Sequence, residues 1–170
     1  MNSIRAAILH FCEWSNAAFF GKAIRDSVWL FPVVEIFHLL ALAILGASVI
    51  ILNLSLVGWG FRGDRPSVLR RELLPWMIGC LIVMVVSGYL LFSTEAVKMY
   101  GNWAFQLKML FLLLAAAFTF TIHGSVVAKE SASAASRWTV AIVSTLLWLG
   151  VGLGGRAIGY VTTAATAATP

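Results

Sequence analysis

Ionisable side chains inside apolar stretches are the first chemical signal in this sequence: Glu35 and His38 in the first stretch, His123 in the third, with Lys108 near the start of that third one. Such groups are costly in hydrocarbon, so they mark candidate functional sites. Glu35 and His38 are three residues apart and share a helix face, where the carboxylate can accept a proton from an imidazole nitrogen or help hold a cation. With the first and third helices parallel, His38 lies about eight residues below its outer end and His123 about eighteen. The offset is roughly 15 Å, so the two histidines are not expected to sandwich one haem. Lys108, only about four residues into its helix, falls near the level of Glu35 and His38. The antiparallel second and fourth helices bring Tyr89, Ser93, Arg156 and Tyr160 to the same side, predicting a polar pocket within reach of His10. A plainer reading pairs Glu35 with Lys108 or Arg156 and leaves His38 hydrogen-bonded within the bundle. The inner half offers Asn53, Ser55, Thr119, Thr121 and His123, the last read first as a histidine satisfied near a helix C-terminus.

The elements that must position these groups follow from composition. Of 170 residues, 61% are hydrophobic and 11% charged, with mean hydropathy +0.92. A water-soluble monomer is excluded. The reading is an all-α integral membrane four-helix bundle, preceded by an amphipathic interfacial helix over 1–26. Spans are expected at about 28–60, 73–92, 104–127 and 138–160, with 161–170 as a frayed tail, all in one membrane domain of residues 1–170. Asp26-Ser27 caps the first span, and Pro32 and Pro75 are placed in first turns. His10 and Glu13 interrupt the apolar run a signal peptide would need, so the N-terminal segment is expected to be retained.

The net charge of +5 is carried by basic residues at the ends of apolar runs, which reads as topology and not as nucleic-acid binding. Arg62, Arg65, Arg70 and Arg71, with Lys129 and Arg137, place those loops in the cytoplasm of a bacterial inner membrane and both termini in the periplasm. Gly150-Val151-Gly152-Leu153-Gly154-Gly155 lacks a preceding strand, so it is not a phosphate loop. Gly150/Gly154 and Gly155/Gly159 fit small-residue helix packing, either within a tight bundle or between copies in a homo-oligomer. Trp29, Trp59, Trp76, Trp103 and Trp138 form an aromatic belt. Cys12 and Cys80 suggest neither a disulfide framework nor a metal knuckle.

Several segments carry a resemblance: Trp29-Leu30-Phe31-Pro32-Val33-Val34-Glu35-Ile36-Phe37-His38, Leu73-Leu74-Pro75-Trp76, Ser87-Gly88-Tyr89-Leu90-Leu91-Phe92 and Asn102-Trp103-Ala104-Phe105-Gln106-Leu107-Lys108. Together they resemble a bacterial family of four-span membrane proteins of unknown function, over most of the chain. Members often show an Asp and an Arg where this chain has Asn53 and Ser55. The family is distantly similar to small membrane proteins of haem and copper metabolism, which implies haem b as a cofactor by fold-level analogy.

The leading expectation is a redox or electron-transfer subunit associated with haem b or a quinone. His38 would be an axial metal ligand, Glu35 would orient it, Lys108 or Arg156 would pair with propionates, and Tyr89 would share the pocket. The alternative is a structural or docking subunit of a larger membrane complex, or a small transporter, built on a buried Glu35-His38-Lys108 network. A third reading makes His38 a general base acting on a lipid or quinone. In every case the bilayer is a partner.

Overall fold

The computed structural model describes residues 2–59, 66–128 and 132–167, and all regular structure among them is helical. Two N-terminal helices, α1 (Asn2–Ala17) and α2 (Phe19–Asp26), precede α3 (Leu30–Val57) and α4 (Pro66–Thr94). A short α5 (Ala96–Tyr100) leads to α6 (Trp103–Phe118), a π-helical segment (Thr119–His123), α7 (Gly124–Ala128) and α8 (Ala134–Ala167). Four stretches are long and apolar enough to cross a membrane: Leu30–Val57, Pro66–Thr94, Trp103–Val127 and Ala134–Val161.

Local chemistry sets the ends. Ser27 Oγ accepts from the Leu30 amide at 3.3 Å and helps start α3. Gly58 closes it at φ 82°, a left-handed conformation that only glycine adopts without strain. The Gly58 amide then reaches Ser55 O at 3.1 Å and the Trp59 amide reaches Leu54 O at 2.9 Å, the Schellman pattern that satisfies terminal carbonyls. Asn102 caps α6, its Oδ1 accepting from the amides of Ala104 and Phe105 at 2.9 and 3.3 Å. The second span differs from expectation. Its helix begins at Pro66, a tolerated first-turn position, so Pro75 lies inside α4 and not in its first turn. Helix α8 continues to Ala167, through residues expected as tail, and 168–170 lie outside the described residues. The single interfacial helix expected over 1–26 is two, broken at Ala18, whose extended backbone ends one helix and begins the next.

The core is a stripe on α3, Ala41, Leu45, Val49 and Leu52, at the three- and four-residue steps of one helix face. It meets Met77 and Met84 of α4, Ala115 of α6, and Trp148 and Val151 of α8. Helix α3 packs on α4 and α8, and α6 packs on α8. Since lipid is as apolar as a leucine side chain, close van der Waals contact has to hold these helices together. Gly150 supplies such contact, because a Cβ there would lie 2.7 Å from the Phe111 ring. Gly154 receives the Lys108 backbone and Cβ in the same way. The small face of α8 is therefore used within the bundle. Substituting Gly150→Ala is expected to lower detergent-state stability by about 1–3 kcal/mol through overpacking. At Gly152, where nothing lies within 4 Å, the same change should leave the melting temperature unchanged or raise it.

Helix α1 buries Cys12 and Ser15 and leaves Ile8, Phe11 and Trp14 exposed. Burial, and secondarily the Glu13 carboxylate, push the Cys12 thiol above its ordinary range. Its thiolate fraction at neutral pH is accordingly below that of a free cysteine. Maleimide labelling of Cys12 in a Cys80→Ala background should be slow at pH 7 and accelerate above pH 9, whereas SDS unfolding should make it fast at neutral pH.

Candidate functional site

The outer cluster is assembled from α3, α4, α6 and α8. His38 lies nine residues into α3 and is 7% exposed, its Nδ1 3.0 Å from Ser87 Oγ on α4. Ser87 gives its own hydroxyl proton to the Val83 carbonyl, so its oxygen is an acceptor and the imidazole must donate from Nδ1. Nε2 is then the bare nitrogen. The ring is seated against Gly88, where a Cβ would meet His38 Cε1 at 3.1 Å. Lys108 runs across the glycine pair of α8, with Nζ 3.6 Å from a Cβ position on Gly155. Its charge lies close enough to act on His38. One turn before Lys108, Phe105 stacks on Phe92 with centroids 5.4 Å apart and an interplanar angle of 16°.

The structure thus brings Lys108 toward His38 and leaves the acid out. Glu35 is exposed, and the ion pair found among the described residues is Lys98–Glu95 at 3.3 Å. The expected pairing of Glu35 with Lys108 or Arg156 is corrected on this point. Three residues rotate Glu35 about 60° from His38, enough to leave the narrow core stripe. Arg156 is exposed, as are Tyr89 and Tyr160 at 40% and 68%. Ser93 is buried, but its hydroxyl goes to Leu90 O at 2.7 Å and its backbone is covered by Gly21 of α2. His10 is exposed on α1. No hydrogen bond or ion pair among the described residues joins Tyr89, Ser93, Arg156 and Tyr160 to one another; Arg25 ties α2 to the end of α4, donating to Thr94 O at 2.9 Å and Asn16 Oδ1 at 3.1 Å.

At the other end lies an arrangement that sequence reasoning left as scattered polar residues. His123 is 1% exposed and its Nε2 lies 3.0 Å from Asn53 Oδ1. Asn53 Nδ2 donates to Thr145 Oγ1 at 2.9 Å, and Thr145 donates to Ala141 O at 2.8 Å. Read backwards from Ala141, each donor is assigned: His123 carries its proton on Nε2, and Nδ1 is bare, buried and without a partner. Trp148 Nε1 donates to Thr119 Oγ1 at 3.0 Å one turn away. Thr119 and His123 bound the π-helical segment, a distortion found often at functional sites. The four-residue spacing of two polar residues in an otherwise apolar span was the available signal. His38 and Asn53 are fifteen residues apart on α3, or about 22 Å. The two histidines therefore belong to separate levels.

Fold and site together define a multi-pass helical membrane protein with two buried polar levels, one near each end of the bundle. Residues 11–161 match the family described as "Family of unknown function (DUF6644)", and the chain belongs to it. Comparison with curated proteins and with solved structures found no match.

The inner chain of bonds can be tested by removing its central link. Asn53→Ala leaves the His123 N–H and the Thr145 oxygen unpaired in hydrocarbon. It should cost about 1–3 kcal/mol in SDS-titrated unfolding from mild detergent. Thr121→Ala, on an exposed hydroxyl bonded only to its own helix at Ala117 O, should be near neutral.

Proposed function

We propose that the chain is a quinone-associated redox subunit of a bacterial inner-membrane complex, with its head-group site at His38 and Lys108. The observation carrying this reading is an acceptor Nε2 on buried His38, within the influence of the Lys108 charge, with no carboxylate paired to that ammonium among the described residues. A hydroquinone is complementary to that pair. Its hydroxyl donates to Nε2, the proton passes to the imidazole, and the resulting anionic oxygen accepts from Lys108. Oxidation of the bound hydroquinone to the quinone then gives two electrons to a one-electron carrier of the partner complex and two protons, the first through the imidazole and the second from the distal hydroxyl to water. The Phe92–Phe105 stack offers an apolar wall to a planar ring at this level. Arg70, Arg71 and Arg137 lie at the opposite end, which the positive-inside rule assigns to the cytoplasm, so the head-group site faces the periplasm with both termini. Arg62, Arg65 and Lys129, which share in that assignment, lie outside the described residues.

Haem b is the second reading, favoured by the same hydrogen bond: Ser87 orients the ring as an outer-shell partner orients a ligating histidine, leaving Nε2 for an iron. The donor set fits one axial position only, since His123 is committed to the other level. Bound there, the haem would supply one-electron transfer, and Lys108 would neutralise a propionate.

Titration of the detergent-solubilised protein with a short-tailed quinol, followed by tryptophan fluorescence, separates these readings. His38→Ala and Lys108→Met should each weaken binding about tenfold or more, as loss of a charge-assisted bond does. Glu35→Gln should not. Native-like binding by both His38→Ala and Lys108→Met would overturn the quinol site. A Soret band in the purified protein that disappears in His38→Ala would instead establish the haem reading.

A further inference from the structure

Arg70 stands in the second turn of α4, half-buried, at the end of the bundle away from His38. Its guanidinium takes the space a Cβ on Gly124 would occupy, with Nη2 2.6 Å, Cζ 3.0 Å and Nε 3.4 Å from that position. Glycine at the exit of the π-helical segment therefore makes the seat, and a Cβ there would require the guanidinium to shift. Among the described residues Arg70 donates no hydrogen bond and joins no ion pair. Five N–H donors in a planar fork are left without acceptors in a half-buried setting, which is costly unless an oxyanion completes them.

The protein does not supply that anion from its described residues. Glu72, two positions along α4, is exposed and unpaired. His123, adjacent to the seat in sequence, feels the Arg70 charge, yet its bare Nδ1 is sealed in the core and receives no bond from the guanidinium. Among the described residues the fork is open to an acceptor from outside the bundle. Trp59 and Trp138, 74% and 56% exposed at this same end, mark the depth at which lipid head groups sit. A planar fork pairs bidentately with phosphate oxygens, and basic seats between spanning helices are suited to anionic head groups.

We propose that Arg70, seated on Gly124 between α4 and α7, is a phosphate site filled by the head group of an anionic phospholipid. The site is independent of the quinol site and lies at the other membrane surface. Native mass spectrometry of the full chain in mild detergent, with phosphatidylglycerol or phosphatidylcholine added, tests it. Phosphatidylglycerol should be retained in preference to phosphatidylcholine, and R70Q should reduce its retention about fivefold, the effect of one cation near an anionic lipid surface. R71Q, on an exposed side chain off the seat, should behave as native. G124A keeps every charge but fills the seat, and should weaken retention as R70Q does. Equal retention of the two lipids overturns the proposal, as does native-like retention by G124A, which decides the matter even if R70Q fails to fold. Displacement of the lipid by millimolar inorganic phosphate would assign the seat to a free anion and overturn the lipid assignment.

Discussion

A polar group buried in hydrocarbon must find its partner inside the protein, and most of this structure's chemistry descends from that constraint. Hydroxyls meet it by bonding backward to their own helix: Ser48 to Ile44 O, Ser87 to Val83 O, Thr145 to Ala141 O. Each hydroxyl so committed can only accept from a further neighbour. His38 facing Ser87 must therefore protonate Nδ1, whereas His123, reached through Asn53 from Thr145, must protonate Nε2. Two histidines in one bundle are held in opposite tautomers by two hydroxyls, Ser87 bonded directly to the His38 ring and Thr145 acting on His123 through Asn53. What remains open on each ring differs: Nε2 at one end, Nδ1 sealed in the core at the other.

Close helix approach is the second consequence of a lipid solvent. Gly150 admits the Phe111 ring, while Gly154 and Gly155 admit Lys108, so α6 and α8 meet nearly backbone to backbone at the level where the lysine chain crosses. That contact lays the Lys108 chain along α8, with Nζ over Gly155. Gly88 does the same for the His38 ring on α4. The glycines thus position the two basic groups of the outer level without touching any ligand themselves. The Gly124 seat of Arg70 repeats the device at the far end.

Much of the fold was legible in the residues. The four apolar spans, the Ser27 start and the membrane class follow from hydropathy and capping chemistry, because these are properties of contiguous segments. The start of α4 was misplaced because Arg70, Arg71 and Glu72 read as a loop, although Pro66 can begin a helix and charged residues extend it through the head-group layer. At the outer level, helix pitch put Glu35 and His38 on neighbouring faces but could not show that Glu35 is exposed while His38 is buried. The π-helical segment was invisible, since a single inserted residue leaves no periodic trace in so apolar a run.

By itself, then, the sequence determined a four-span helical membrane protein and the position of each ionisable residue along its own helix. Only the tertiary structure decided that Asn53 joins His123 to Thr145, that Lys108 lies across Gly154 and Gly155, and that Arg70 sits at Gly124. Pitch and rise are set within one helix by backbone hydrogen bonds, whereas the rotation and shift of one helix against another depend on which side chains and glycines meet across the interface.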